Sequence, residues 1–407
     1  IDGDHLEEFE GDGAMKWEKV KLGDLAICIQ PGPFGSQLHS SDYADEGTPI
    51  IMPKDMIDGK ISQKDLIRVP DKHLQRLKRH QVFDGDLMVA RKGDVRKCVY
   101  ITKNENGWLT GSDCLKVSLD KEKCFPKYIY YQLRSPFMGR WLETISIGAT
   151  MPSLNTGLLS GIEIFLPTIE EQKRIAGILS AYDSLIENNQ EQIKLLEEAA
   201  QRLYKEWFVD LRFPDYETTP IVDGIPQGWH EGTIQDVVIY HDKKRKPLSG
   251  MQRAEMQGEY RYYGAASILD HVNDYLFDGT YLLLGEDGTV VTEDGFPVLQ
   301  YVTGKFWVNN HAHVLTGQPG YPTEYLYMMF KSTKVKDVVT GAAQPKISQA
   351  RLSNKKIIVP SKQLVSAYCD ITGPMFKDII NLEHQITVLK EARDRLLPKL
   401  MSGEIEV

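Results

Sequence analysis

Two short basic runs carry the side chains with the most definite chemistry. ARKGDVRK at 90–97 sets Arg91, Lys92, Arg96 and Lys97 around Gly93, a little after KRH at 78–80. KKRK supplies Lys243, Lys244, Arg245 and Lys246. Such clusters can neutralise phosphates even in a chain of net charge −9, because fields beyond a Debye length of about 8–10 Å are screened and local charge decides. The basic character sits in 15–160, whereas 1–14 and 161–210 are acidic. A charge run is also consistent with a solvated loop.

Signatures of catalysis are missing. There is no GxxxxGK followed by Ser or Thr to cradle phosphates, and no G-x-G-x-x-G after a strand. No Asn-Pro-Pro-aromatic or Asp-Pro-Pro-aromatic tetrapeptide of an amino-methyltransferase occurs. His311 and His313 share a strand face and can ligate metal, but no third ligand stands nearby. Glu286 and Asp287 in LGEDG read as turn residues rather than catalysts. The chain is expected to bind, with no catalytic residue, metal or cofactor of its own.

The elements that must position these residues occur twice. GATMPSLNTGLLSGIEIFLP (148–167) and GAAQPKISQARLSNKKIIVP (341–360) keep a glycine, two prolines and a Leu-Ser pair in register. Upstream, Trp17 with LGDL (22–25) matches Trp229 with IQDV (234–237), and YIYYQL (128–133) matches YLYMMF (325–330). Between these anchors the halves share almost nothing. Matched ends around a diverged middle fit one scaffold with two recognition surfaces, or an old duplication that has drifted. The middles carry short apolar runs, TPIIMP (48–53), DLMVA (86–90), CVYIT (98–102), TYLLLG (280–285), PVLQYV (297–302) and AHVLTG (312–317), broken by Gly, Pro, Asn and Asp. They predict strands joined by exposed loops.

Each repeat runs into a helix-patterned segment, 168–207 and 361–400. In the first, Ile175, Ile178, Tyr182, Leu185, Asn189, Gln192, Leu196, Ala199 and Leu203 form a heptad seam with a polar middle layer. In the second, Ile371, Met375, Ile379, Leu382, Ile386, Leu389 and Leu396 make a comparable stripe. Thr168 can cap the first helix, with Glu171 closing a capping box, and Ser361 the second. About 36 residues make a helix of roughly 54 Å. The second helix is expected to return antiparallel along the first; a parallel or intermolecular coil is the alternative. The expected fold is α+β: two strand-rich globular domains, 15–167 and 208–360, joined by two long antiparallel helices, 168–207 and 361–400, in a coiled coil with an internal pseudo-two-fold.

At 407 residues, 42% apolar and 26% charged, the chain suits two to three soluble domains without a membrane span. Its five cysteines show no metal spacing and read as free thiols of a reducing cytoplasm. Residues 1–14 precede Met15 and read as a leader or tag-like extension, and 401–407 as a tail.

The tandem, together with GPFGSQL (32–38), LPTIEEQKRIAGIL (166–179), LYKEWFVDLRFP (203–214), IPQGW (225–229), YYGAASI (262–268) and LPKLMSGEI (397–405), resembles the specificity subunit of type I restriction-modification systems. The second helix start, VPSKQLVSAYCDI (359–371), departs from it by lacking the Glu-Gln pair of the first. The resemblance implies two target recognition domains, each reading half of a bipartite, asymmetric site in double-stranded DNA, with the helices setting the gap. It implies two methyltransferase subunits carrying S-adenosylmethionine docked on the helices, and restriction translocase-nuclease subunits using ATP and Mg. Phosphate contacts are then expected from Lys54, Arg91, Lys92, Arg96, Lys97 and Lys243 to Lys246, with the loop of Gly32, Gly35 and Ser36 offering its amides. Base edges call for Gln37, Arg96, Arg245 and Gln344, with Lys346 beside them. Tyr262 and Tyr263 are expected either to stack on sugar or a displaced base, or to be core.

Overall fold

The computed structural model describes residues 17–148, 151–341 and 343–407; the expected leader and Met15 lie outside the described residues, as do Ala149, Thr150 and Ala342 of the GAxxP loops. The chain separates into two compact units. The first runs to Ile186 and resumes at Thr387–Val407, and the second is Glu187–Ile386. Each unit therefore takes a share of both long helices.

In the first unit, strands β1 (Ala26–Pro31), β2 (Leu87–Ala90), β3 (Cys98–Tyr100) and β4 (Cys114–Leu119) form a sheet in the order β1-β4-β2-β3, all neighbours antiparallel. Leu87, Val89, Leu115 and Val117 alternate along their strands and face one core. Against them packs α1 (Pro126–Leu133), whose Tyr128, Ile129 and Tyr131 are buried in the same core. Pro126 starts α1 at a position where a missing N–H costs nothing. A separate three-stranded sheet, Arg68–Val69, Thr48–Ile51 and Leu109–Thr110, belongs to the diverged middle.

The second unit repeats the frame. Its strands β5 (Val238–Tyr240), β6 (Tyr281–Gly285), β7 (Leu299–Val302) and β8 (Ala312–Gly317) pair in the order β5-β8-β6-β7, and α3 (Thr323–Ser332) covers them with Tyr325, Leu326, Met328 and Met329. Its accessory sheet differs in strand number, with four strands, Ile268–Val272, Gln257–Tyr263, Lys305–Val308 and Phe277–Asp278 in that order, although each accessory sheet includes one parallel pair. Common frame sheets thus carry unlike accessory sheets.

Two long helices, α2 (Ile169–Tyr204) and α4 (Lys362–Ser402), complete both cores. At the start of α2, Glu171 N donates to Thr168 Oγ1 (3.3 Å) while the Glu171 carboxylate accepts from Thr168 N (3.0 Å), a closed capping box. Leu364 N donates to Ser361 Oγ (3.3 Å) at the start of α4. In the first unit Asp183 bonds Arg393 (2.7 Å), and Ile175 and Leu179 share a core with Leu397 and Leu400. In the second unit Asn189 meets Gln385 (3.1 Å), and Tyr368 donates to Ala200 O (2.9 Å). Numbers rise along one helix as they fall along the other, so the helices run antiparallel within each unit. Each fully buried large apolar side chain in these seams contributes roughly 1.5–3 kcal/mol.

The seam does not follow the heptad in every turn. Ile175, Ile379 and Leu382 are buried, and Ile178, Tyr182, Leu196, Leu203, Met375, Ile386, Leu389 and Leu396 are half-buried. Leu185 and Ile371, however, are about half exposed, at 50% and 46%, and Ile186, Ala200 and Phe376 take the interior positions. A straight helix drifts about 20° per heptad, and these helices pack on a strand domain as well as on each other, which widens the buried face. Among the described residues no helix is long and apolar enough to cross a membrane. The five cysteines are unpaired.

Candidate nucleic-acid interface

The basic turn of the first unit leaves β2 at Ala90 and enters β3 at Cys98. Ala90 N donates to Lys97 O (2.9 Å), and Gly93 takes a φ of +79° that other residues adopt only with strain. The turn is docked on the GAxxP loop: Gly93 N donates to Pro152 O (3.1 Å) and Leu154 N to Arg91 O (2.8 Å). That loop is closed by reciprocal Ile147 and Ser153 main-chain bonds of 2.9 Å. Ile147 and Met151 leave it 62% and 59% exposed.

Most cations of this turn are already engaged. Lys92 pairs with Asp113 (3.2 Å), and Arg96 pairs with Asp94 (2.9 Å) and Glu143 (3.3 Å). Lys97 donates to Pro53 O (3.0 Å), and Lys54 to Asp65 O (3.3 Å). Arg91 has no hydrogen-bond or ion-pair partner for its side chain among the described residues.

The GPFGSQL segment follows β1. Gly32, expected to offer an exposed amide, is buried and donates that amide to Cys114 O (3.1 Å). It is glycine because a Cβ there would lie 1.9 Å from Gly111 O. Gly35, exposed and at φ +58°, opens the short turn Gly35–Gln37 that contains Ser36. Phe34 beside it is 57% exposed, and Gln37 Oε1 is buried with no partner among the described residues.

In the second unit the KKRK run follows β5 and divides. Lys243, Lys244 and Lys246 are exposed. Arg245 is not a free fork: 13% exposed, it donates to Glu286 (2.7 Å) and to Ala312 O (2.7 Å). The turn after β6 therefore uses its acids internally. Lys346 lies 3.4 Å from Glu286 and 3.3 Å from Asp287, and the hydrogen bond to Asp287 is the first cause that raises its pKa. Gln344 remains exposed.

His313 joins this network. It is 1% exposed, with Nδ1 at 2.6 Å from Asp242 and Nε2 at 2.8 Å from Ile347 O. Ligand atoms of Asp242, Glu286 and His313 lie within 4.8 Å of one another, so His313 does have two carboxylates nearby that the sequence did not place beside it, and each of the three groups also has a hydrogen-bond partner. Burial raises the pKa of Asp242, yet the hydrogen bond and charge of His313, the Val314 amide and Arg245 outweigh it and leave it below the ordinary carboxylate range. His311 precedes β8 and faces Asp287 at 3.8 Å.

Tyr262 and Tyr263 belong to the core. Tyr262 is 1% exposed, accepts from Leu248 N (2.9 Å) and packs with Val272 and Trp307. Tyr263 is 5% exposed and meets Phe306 edge-on, with ring centroids 5.7 Å apart. Neighbours in a strand point to opposite faces, and here both faces are covered, so neither ring is available to stack on a base.

Comparison with known proteins adds an independent line. A family model described as "Type I restriction modification DNA specificity domain" matches residues 15–198 and 226–387. The type I restriction enzyme MjaIX specificity subunit of Methanocaldococcus jannaschii is 27% identical, covering 96% of this chain and 94% of that protein. The HindI specificity subunit of Haemophilus influenzae is 20% identical over 96% of this chain and 99% of its own length. A crystal structure of a type I restriction-modification S subunit from M. genitalium superposes with a TM-score of 0.56 at 18% identity, covering 96% and 97% of the two chains. This likeness carries the fold.

Proposed function

Because the chain belongs to the type I restriction-modification DNA specificity family, we propose that it is the DNA-recognition subunit of such a complex. Each strand-rich domain reads one half of a bipartite, asymmetric site, and the paired helices set the spacer and dock the modification subunits. One observation carries the reading: two frame sheets of identical strand order hold unlike accessory sheets and unlike loops. A repeated frame presents two readers in equivalent settings, and only the diverged parts can tell one DNA word from another.

The chemistry belongs to partners. Adenine methylation is assigned to two methyltransferase subunits that carry S-adenosylmethionine, and cleavage to translocase-nuclease subunits that use ATP and Mg. The apolar side chains that the two helices leave exposed, Leu185, Leu195, Ile371 and Val388, suit a protein partner better than a phosphate backbone. Mapping methylated adenines in DNA from cells that express this chain with its modification subunits tests the proposal. The expected result is a two-part motif in which replacing residues 30–147 changes one half only. Methyl transfer by the purified chain alone, or a motif that changes in both halves, defeats it.

A further inference from the structure

Main-chain hydrogen bonds place two turns in equivalent settings. In the first unit Arg91 N donates to Asp113 O (2.7 Å), Leu154 N to Arg91 O (2.8 Å) and Gly93 N to Pro152 O (3.1 Å). In the second, Glu286 N donates to His311 O (2.8 Å), Ile347 N to Glu286 O (2.9 Å) and Gly288 N to Pro345 O (3.0 Å). Arg91-Lys92-Gly93 thus corresponds to Glu286-Asp287-Gly288, and Asp113 to His311. The charges invert: Lys92 against Asp113 (3.2 Å) becomes Asp287 against His311 (3.8 Å).

A cation held by a protein carboxylate must surrender it to bind a phosphate, so the exchange yields little. A cation without a partner releases counterions at no such cost. Lys54, Lys92, Arg96, Lys97, Arg245 and Lys346 are all engaged by carboxylates or carbonyl oxygens. Arg91, Lys243, Lys244 and Lys246 are the candidates whose side chains form no hydrogen bond or ion pair among the described residues. Arg91 stands on a turn fixed by three main-chain bonds, and Lys243 and Lys244 lie in the short helical turn Asp242–Lys244 with Lys246 just after it.

Resting on the functional reading above, we propose that the two units grip the DNA backbone through non-equivalent cations. Arg91 serves in the first unit, and Lys243, Lys244 and Lys246 serve in the second. The acidic turn at Glu286 and Asp287 is spent on Arg245 and Lys346 and stays off the duplex. The frame is duplicated, but its electrostatic grip is not.

The test is the salt dependence of binding of a labelled random-sequence duplex of about 30 base pairs, between about 50 and 200 mM KCl, to the full chain assembled with its modification subunits. Each lost phosphate contact flattens the slope of log K against log salt by about 0.9. Arg91→Ala is expected to flatten it by about 0.9, and Lys243→Ala/Lys244→Ala/Lys246→Ala by about 2.7, whereas Lys346→Met leaves it unchanged. Arg91→Lys retains the parent slope, which separates lost charge from a disturbed turn. An unchanged slope in Arg91→Ala or in the triple variant overturns the proposal, as does flattening by Lys346→Met. A parent complex that binds duplexes without salt dependence removes the DNA-recognition reading itself; a parent that binds normally while the variants behave like it removes this inference alone.

Discussion

The Asp183–Arg393 pair offers a test of how the two helices are held together in the first unit. Arg393 Nη1 donates to Asp183 at 2.7 Å, both side chains are 17% exposed, and Tyr131 also donates to Asp183 at 2.6 Å. Burial first, and then the Asp183 carboxylate, hold the Tyr131 phenol above its ordinary pKa, so it remains a donor. Arg393→Met leaves the carboxylate with the tyrosine alone. Breaking a fully buried pair costs 3–5 kcal/mol; residual exposure lets water in, so about 2 kcal/mol is expected here. For a unit of this size that lowers the melting temperature by about 4–8 °C. In Arg393→Met/Asp183→Leu both charges are gone, and Tyr131 keeps Ser180 Oγ at 3.4 Å as a partner. The double variant should recover to within about 1 kcal/mol of the parent. Urea and thermal unfolding followed by circular dichroism complete the cycle, and single-variant losses that merely add to within about 0.5 kcal/mol refute the coupling.

Two further outcomes follow from buried groups near the same loops. Gly32→Ala pushes a methyl against the Gly111 backbone at 1.9 Å and should cost about 3 kcal/mol, against about 1 kcal/mol for Gly35→Ala, where the space is open and only φ +58° is strained; equal losses in unfolding experiments would refute the close-approach account. His80, 2% exposed, accepts from Arg79 Nε at 3.0 Å and donates to Pro31 O at 3.2 Å, and burial followed by the Arg79 charge lowers its pKa to about 4. The unfolded ring takes up a proton near pH 6.5 while the folded ring resists until about pH 4. This group therefore costs no stability above about pH 6.5 and destabilises progressively as pH falls towards 4, by on the order of 3 kcal/mol in total. Urea midpoints across that window should fall less steeply for His80→Gln than for the parent, and parallel slopes would count against it.

What could be read in the sequence was local in character. The strand runs at 86–90, 98–102, 280–285 and 312–317 each contain an observed strand, and the Thr168–Glu171 box lies within one helical turn. Long-range facts were out of reach. Nothing near Arg245 announces that Glu286, 41 positions away, neutralises it, and nothing near Gly32 announces the backbone of Gly111. Tyr262-Tyr263 looked ambiguous because the strand Gln257–Tyr263 is exposed over most of its length and buries only these two adjacent residues, so no alternation marks them as core. The helix stripe erred by one position at Leu185 and Ile186, since periodicity finds a face but not its edges once a second partner widens it. The inverted turns escaped notice for a related reason: insertions between the halves break the sequence register, and only hydrogen bonding restores the match of Gly93 with Gly288.

The way these turns dock bears on how one frame can carry two readers. Gly93 to Pro152 and Gly288 to Pro345 are main-chain bonds, as are those of Arg91 to Leu154 and Glu286 to Ile347. Main-chain donors and acceptors are nearly the same for every residue type, so this clamp places no condition on charge or size at 91, 92, 286 or 287 beyond a glycine at the third position. Both glycines have φ between +79° and +89°, where a side chain strains the backbone. A diverging middle can therefore exchange Arg-Lys for Glu-Asp without losing its seat on the frame. The cost moves to side-chain pairing: the acidic version has to recruit Arg245 and Lys346, while the basic version leaves Arg91 without a partner. Divergence at a fixed main-chain dock thus converts a neutral scaffold position into either an internal ion network or a cation open to a ligand.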